Sequence, residues 1–504
     1  MVAKNAGRIQ EIVWILVLAL TVRIVVALSF PNIIAPDEVF QFLEQAHRLV
    51  FGQGIVPWEF QVGLRSWLIP ITLAAPMALA HMVFASPLAG LVFIRVLLVM
   101  ASLPIVWTAA KWGDRFYGSQ GMWIAGIFTA LWPDLWLMAP HPLEEVFSAD
   151  ILVPAIYVVE TLGMRAPLRQ ISLVSFMLGW ALAIRIQIAP AIAIAGIALC
   201  GRDIQRWRIG ILAGAVPLLI SGLLDWITWG EPFRSLWLNI YLNVFLGVAK
   251  NQFGANPTSY FIYMLGLDWL WTLPVMVFLC WRGSKILQVA GYSVVAIIIT
   301  HSLIAHKEYR FIFPAIALAV PLAGVGLAEV WVYLRKNDQL STPRIILGVF
   351  LLIGPICSPW IYFMLNFQTN SFQVFEDVAK LKPQLVSVQG LERGFMELDV
   401  NVLPFDVLLG KAVKLTRETV IPTPSGPIEA DAIVGAVDTM KIPDNFTRQA
   451  CFSGGWIPFA PKPKPKVCVW IRQGLTIPDG NEPPFEFPFP KKAKSFIISD
   501  KLTG

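Results

Sequence analysis

An all-α protein threaded many times through a bilayer, followed by a small extracytoplasmic domain, is the fold class this sequence predicts. Three observations predict it. Of 504 residues, 56% are hydrophobic and only 14% are charged, where a soluble domain carries roughly a quarter charged residues. Apolar runs long enough to cross a hydrocarbon core, roughly 20 residues each, recur from the N-terminus to residue 366. Many of the 20 Trp fall near the ends of these runs, where an amphipathic ring suits the headgroup level.

The first run, residues 12–30, follows Lys4 and Arg8 and lacks a small-residue cleavage pattern. It reads as a signal anchor with a cytoplasmic N-terminus. Further runs lie near 67–85, 88–110, 120–139, 146–163, 171–186, 188–200, 209–228, 258–281, 286–304, 310–334 and 343–366. Basic loops separate them at 111–115, 165–169, 202–208, 282–285 and 335–344, and positive charge marks the cytoplasmic side. All five fall inside if segment 67–85 lies in the interface or re-enters; its Pro70 and Pro76 weaken it as a straight spanning helix. The expectation is therefore about 11 transmembrane helices plus one interfacial segment. The outer side then holds the first loop 31–87, the turn 141–145, residues 229–257, the turn 306–310 and the tail.

The chain divides on this reading into a transmembrane catalytic domain, 1–366, and an extracytoplasmic domain, 367–504. Short alternating stretches at 385–388 and 467–471 predict a β-rich or α+β tail. Cys451 and Cys468 either form a disulfide in an oxidising compartment or stay as two thiols, whereas Cys200, Cys280 and Cys357 lie in apolar runs as inert core residues. The Pro-Lys alternation at 461–466 reads as exposed and extended. The net charge of +6 resides in orienting loops, so nucleic acid is not an expected partner; membrane lipids are. Five His without a paired spacing or a Cys cluster predict no metal. The chain has no Walker-type phosphate loop and no dinucleotide fingerprint, so no cofactor is expected.

The unusual polar residues gather in the outer segments. After Pro36-Asp37-Glu38, the positions Val39, Phe42, Leu43, Ala46, Leu49 and Val50 share one helical face, opposite Gln41, Glu44, Gln45 and Arg48. That pattern predicts an amphipathic helix lying along the membrane surface, with the two acids either capping it or performing chemistry. Downstream come Trp58-Glu59-Phe60, Arg65-Ser66 and Pro70, and far along the chain His306-Lys307-Glu308-Tyr309-Arg310-Phe311.

In these three places, in this order, the sequence resembles the Alg9/PIG-B-type mannosyltransferases, glycosyltransferase family 22 of the GT-C superfamily. The resemblance covers most of residues 10–330 and includes Asp225-Trp226 with Gly230 and Asn243 before Gly254 and Pro257. It implies an inverting transfer of a sugar, mannose above all, from a polyprenyl-phosphate donor to a glycolipid, glycan or protein acceptor outside the cytoplasm. Asp37 maps onto the family's candidate base. A sugar hydroxyl is a weak nucleophile, so a positioned carboxylate must take its proton as it attacks the anomeric carbon. Glu38 is the second choice. The departing phosphate needs cations, for which His306, Lys307, Arg310 and Arg185 are candidates. Trp58, Glu59, Arg65, Glu144 and Glu145 are candidates for contacting sugar or acceptor, with helix capping the competing role for the last two. A secondary transporter or lipid-linked sugar flippase is the alternative function, and an envelope-enzyme scaffold a third. The expected location is a prokaryotic plasma membrane, with the endoplasmic reticulum as the alternative.

Overall fold

The computed structural model describes residues 2–84, 87–336, 348, 353–354, 356–381, 383–389, 406–409, 414–416, 419–421, 427–436, 442–452 and 467–474. The expected segment 461–466, nearly all of the basic loop 335–344 and much of the run 343–366 lie outside them. Two compact units are present. The first holds Met1–Val26, Val96–Ile227 and Glu231–Ile361; the second holds Ala27–Arg95, Thr228–Gly230 and the described residues from Tyr362 onward.

Among the described residues six helices are long and apolar enough to cross a membrane: Gly7–Ser29, Pro87–Leu131, Glu144–Arg165, Ile204–Trp229, Tyr260–Ser284 and Tyr309–Arg335. Four shorter apolar helices accompany them, Leu68–Val83, Leu168–Ile184, Ile186–Cys200 and Gln288–Leu303. The expected interfacial segment forms the 16-residue helix Leu68–Val83, with Pro76 inside it.

The first unit is built around Tyr309–Arg335, whose most apolar stretch is 94% buried, against 17–44% for the other five long helices. Small residues make that burial possible. A Cβ placed on Gly326 would lie 2.1 Å from the Leu279 carbonyl oxygen, and one on Gly324 would lie 3.1 Å from the Ala125 Cα. Backbones approach this closely only through glycine, the packing mode that helices in lipid favour.

Helix Leu103–Leu131 reverses at Gly118, whose φ of 63° and ψ of −154° break the helical path. Beside this turn Arg8 pairs with Asp114, and Arg115 Nη2 donates to the Thr161 carbonyl at 3.3 Å. The start of the first helix, the basic turn and the end of helix Glu144–Leu162 therefore share one side, as the positive-charge rule requires.

In the second unit the first loop is tied to the segment before the tail. Asn32 Nδ2 donates to the Met364 carbonyl at 2.8 Å, Ile33 N donates to the Phe367 carbonyl at 3.1 Å, and Arg95 Nη2 donates to the Asn32 carbonyl at 2.6 Å. The tail is α+β. Strands β1 (Leu385–Val388), β2 (Lys414–Thr416), β5 (Ala432–Ala436), β6 (Phe446–Phe452) and β7 (Val467–Arg472) form one sheet in the order β2-β1-β5-β7-β6; β3 (Val420–Ile421) and β4 (Ile428–Glu429) form a separate pair. β1 runs parallel to β2 and β5, and β7 runs antiparallel to β5 and β6. Both alternating stretches of the sequence are strands. Cys451 and Cys468 face each other across β6 and β7 and form a disulfide.

Candidate functional site

In the second unit the acidic tripeptide opens a helical stretch that runs through a π turn, Glu38–Leu43, into helix Glu44–Phe51, closed by Gly52 at φ 80°. The expected surface helix needs correction. Its polar face is largely out of water: Gln41, Glu44 and Gln45 are buried and Arg48 is half-buried, and Glu38 and His47 beside them are buried too. Periodicity identified the face but not its cover. The cover is the following loop: Gln45 Nε2 donates to the Ile55 carbonyl as well as back to that of Phe40, Glu44 Oε2 accepts from Ile55 N and His47 Nδ1 bonds the Gln53 carbonyl at 2.8 Å. Burial pushes the His47 ring down to about 4, with its Gln53 bond opposing.

The two acids part company here. Glu38 is 1% exposed, and its charge acts on Arg95. Asp37 is only partly buried, and its Oδ1 accepts from Gln41 Nε2 at 2.9 Å. The same amide nitrogen donates to Glu59 Oε1 at 3.1 Å, so one glutamine bridges two carboxyl groups. Glu59 sits in helix Trp58–Val62, held between Pro57 and a left-handed Gly63. Burial raises the Glu59 carboxyl above its usual value; Arg65 opposes this and the Asp37 charge adds to it. Trp229 Nε1 donates to the Arg65 carbonyl at 3.1 Å and its ring packs near Phe60 and Trp67. Trp58 is partly buried at the first position of its helix.

In the first unit Arg185 ends helix Leu168–Ile184, nearly fully buried. Its Nη1 lies 2.8 Å from Glu145 and 4.0 Å from Glu144, and its guanidinium stacks 5.3 Å from the Phe311 ring centroid. Glu144 and Glu145 open helix Glu144–Leu162, so they stand at its N-terminus and pair with Arg185 as well.

At the turn that follows helix Gln288–Leu303, Glu308 receives Arg310 Nε at 2.7 Å and the His306 Nε2 at 3.2 Å. Partial burial works against the Glu308 charge, but Arg310 and His306 outweigh it and hold the carboxyl well below the usual carboxylate range. Lys307 points inward, 3% exposed, with Nζ 2.9 Å from the Asn256 carbonyl oxygen and 3.4 Å from that of Ala305. It clamps the end of the long loop before Pro257, and burial lowers its ammonium from the usual lysine value. An apolar cavity of about 600 Å³ lies in this unit, lined among others by Trp269, Val277, Tyr292, Ile298, Ile312 and Ile316.

Sequence reasoning missed a buried cluster around Tyr309. Its hydroxyl lies 2.9 Å from Asp134 Oδ1 and 2.5 Å from Asp268 Oδ2. Trp132 and Trp269 donate their indole N–H groups to Asp134 Oδ2, at 2.8 and 3.0 Å. Ser358 Oγ donates to Asp268 Oδ1 at 2.8 Å. The signal was available: two acids inside apolar runs 120–139 and 258–281, where a charged side chain is costly enough to mark a purpose. Among the described residues no group of three His, Cys, Asp or Glu side chains is arranged to hold a metal ion.

A helical membrane domain with acids in its first loop, a cationic turn before its central helix and a small α+β tail defines a GT-C-like glycosyltransferase fold. ArnT from Cupriavidus metallidurans bound to undecaprenyl phosphate shares it, with a TM-score of 0.59 at 12% identity, over 92% of this chain and 99% of that one. The model of the Alg9-like mannosyltransferase family matches residues 14–388, well over half of the chain, and the chain belongs to that family. Similar relatives are the GPI mannosyltransferase 3 proteins of Yarrowia lipolytica, 26% identical over 64% of this chain, and Drosophila melanogaster, 24% identical over 70%. The GPI alpha-1,2-mannosyltransferase 3 of Mus musculus is 21% identical over 76%. The matched parts cover 64%, 62% and 69% of those relatives' own lengths. All three come from eukaryotes, which lends no support to the expected prokaryotic membrane; the multi-pass membrane character stands.

Proposed function

We propose that this chain transfers mannose from a polyprenyl-phosphate carrier to a hydroxyl of a glycolipid acceptor on the non-cytoplasmic side, with inversion at the anomeric carbon. The observation that carries this reading is the Asp37 niche: a partly buried carboxylate, oriented by Gln41, on a family member's first outer loop. The acceptor oxygen attacks the anomeric carbon, its proton passes to Asp37, and the bond from that carbon to the phosphate oxygen breaks. Glu38 is set aside as the base because it is buried beside Arg95. Glu59 and Arg65 then shape the acceptor side of the niche, and Trp58 supplies a ring for a sugar face.

The phosphate that leaves gains negative charge, and a cationic turn meets that charge best when it is fixed in advance. Lys307, Glu308 and Arg310 together carry one net positive charge, with Glu308 orienting Arg310. Arg185 is fixed in advance by Glu145. The apolar cavity suits a polyisoprenoid chain, and the fold shared with a protein bound to undecaprenyl phosphate supports a lipid-phosphate donor. The relatives' names support a glycosylphosphatidylinositol-type glycolipid as acceptor. Relatives that all come from eukaryotes favour the endoplasmic reticulum, the alternative location, over a prokaryotic plasma membrane.

The test is reconstitution with radiolabelled polyprenyl-phosphate-mannose and glycolipid acceptors. Asp37→Asn should lower turnover by about 10²–10⁴-fold, the range of a lost general base, while donor binding survives. Wild-type turnover in that variant would remove Asp37 from the role. Failure of the wild-type protein to transfer from this donor would remove the donor assignment.

A further inference from the structure

The cluster around Tyr309 poses a proton-counting problem. A phenol has one hydrogen, yet the Tyr309 hydroxyl lies within hydrogen-bond distance of a carboxyl oxygen on each of two acids. It can donate to one. The other contact is a bond only if that acid brings a hydrogen of its own, and an unpaired contact between two acceptors at such depth would be costly. Asp134, Asp268 and Ser358 are almost or wholly inaccessible and Tyr309 is 8% exposed, so water does not resolve the count.

The donors decide which acid carries the hydrogen. Asp134 already receives two indole N–H groups on Oδ2, from Trp132 and Trp269. Adding the phenol on Oδ1 gives it three donors, the environment that stabilises a buried anion. Among the described residues Asp268 receives the Ser358 hydroxyl on Oδ1 and no indole N–H, and a side-chain hydrogen bond also links it to Asp134, a contact between two carboxyl groups that again requires one of them to carry a hydrogen. Asp268 Oδ2, 2.5 Å from the phenol oxygen, is where a hydrogen is needed. The chain of bonds then runs in one direction: Asp268 donates to Tyr309, Tyr309 donates to Asp134, and Asp134 holds the charge.

We propose that Asp268 is a neutral carboxylic acid and Asp134 a carboxylate, and that their relay through Tyr309 is the positioning device for the turn that presents Glu308 and Arg310. Tyr309 lies between those two residues in sequence, so fixing its side chain fixes the backbone from which both project. The same relay holds Trp269, whose ring lines the apolar cavity while its N–H is spent on Asp134. The role given to the turn rests on the proposed donor-phosphate reading; the location of the hydrogen does not. These three are positioning residues.

The assignment makes an asymmetric prediction for two equally conservative changes. An asparagine at 268 reproduces a neutral acid: its Nδ2 donates to the phenol and its oxygen accepts from Ser358. Asp268→Asn should therefore fold as wild type and keep donor kcat/KM within about twofold. An asparagine at 134 lacks acceptors for three donors and leaves at least one unpaired, so Asp134→Asn should lose at least about tenfold, mainly as a rise in donor KM. Infrared spectroscopy of the purified full chain reads the hydrogen without any activity. The wild-type spectrum should contain a protonated-carboxyl C=O band that Asp268→Asn removes.

Absence of such a band, or a folding failure of Asp268→Asn, would overturn the proposal. Tolerance of Asp134→Asn with loss in Asp268→Asn would place the hydrogen on the other acid and equally overturn it. If the wild-type chain transfers no mannose, the donor reading fails alone, and the infrared and folding results still decide the protonation.

Discussion

Replacing Glu145 by Gln removes the carboxylate that faces Arg185 in the interior of the first unit. The side chains are 5% and 3% exposed and their charged atoms lie 2.8 Å apart. At an effective dielectric of about 20, a charge pair at that separation attracts by about 6 kcal/mol, and Glu144, at 4.0 Å, by about 4 kcal/mol. Neither figure is a net stability, because both charges lost water on burial. Breaking a buried pair from one side typically costs about 3–5 kcal/mol. Glu144 remains in Glu145→Gln and offsets part of this, so about 2–3 kcal/mol is expected. Glu144→Gln should cost under about 1 kcal/mol, since that side chain is one-quarter exposed and its pairing is screened. Removing both charges with Arg185→Met and Glu145→Gln should recover much of the loss, because neither partner is then left buried alone. Thermal unfolding in detergent across this double-mutant cycle gives the coupling. Equal losses for the two glutamates, or a double variant as unstable as the summed singles, would refute the reasoning.

Other outcomes follow from the same structure. His47 is held neutral in the fold at about 4 against an ordinary 6.5, so the unfolded chain binds its proton first on acidification. Stability present above 6.5 should therefore fall by about 3 kcal/mol as pH drops towards 4; in His47→Asn, melting measured across this window should lose that slope. The Cys451–Cys468 bridge closes a loop with a sequence separation of 17, and its removal by paired serines should cost about 3 kcal/mol, seen as faster proteolysis of the tail. Glu308→Gln leaves Arg310 without its carboxylate partner at 2.7 Å. Donor KM should rise by about tenfold, the low end for one lost charge-assisted bond because Glu308 is 40% exposed, with kcat less affected in steady-state assays.

Composition and run length carried the fold class because a bilayer admits few backbone solutions: every spanning segment must satisfy its own N–H and C=O groups. Alternation revealed β1 and β7, and the oxidising-side placement anticipated the Cys451–Cys468 pair as one of two states. What sequence could not supply was depth. The helical wheel around Gln41, Glu44 and Gln45 gave a polar face, but a wheel does not say whether water or a returning loop covers it. Asp134 and Asp268 were hidden for a different reason. A single carboxyl barely moves an average taken over twenty apolar residues, and their common partner, Tyr309, lies 175 and 41 residues away. The motif around Tyr309 is legible as a cationic turn, but nothing in it signals that the phenol between Glu308 and Arg310 points to two distant acids.

Under the proposed reading, the adjacent acids Asp37 and Glu38 take separate roles. Consecutive helical residues project about 100° apart, so Asp37 and Glu38 cannot serve one hydroxyl equally. Glu38 turns inward to Arg95, and that guanidinium in turn holds the Asn32 carbonyl, so the second acid anchors the loop that carries the first. Asp37 then meets a like group in Glu59 through the single Gln41 amide. Burial and the Asp37 charge both favour the proton on Glu59, and Arg65 limits that preference. Burial is the larger of the two causes, so the preference of Glu59 for its proton comes first from its place in the short helix Trp58–Val62 and second from its neighbour. The loop that carries Asp37 is thus held from one side through Glu38 and Arg95 and from the other through Gln41, the fixed geometry that the proposed role of Asp37 requires.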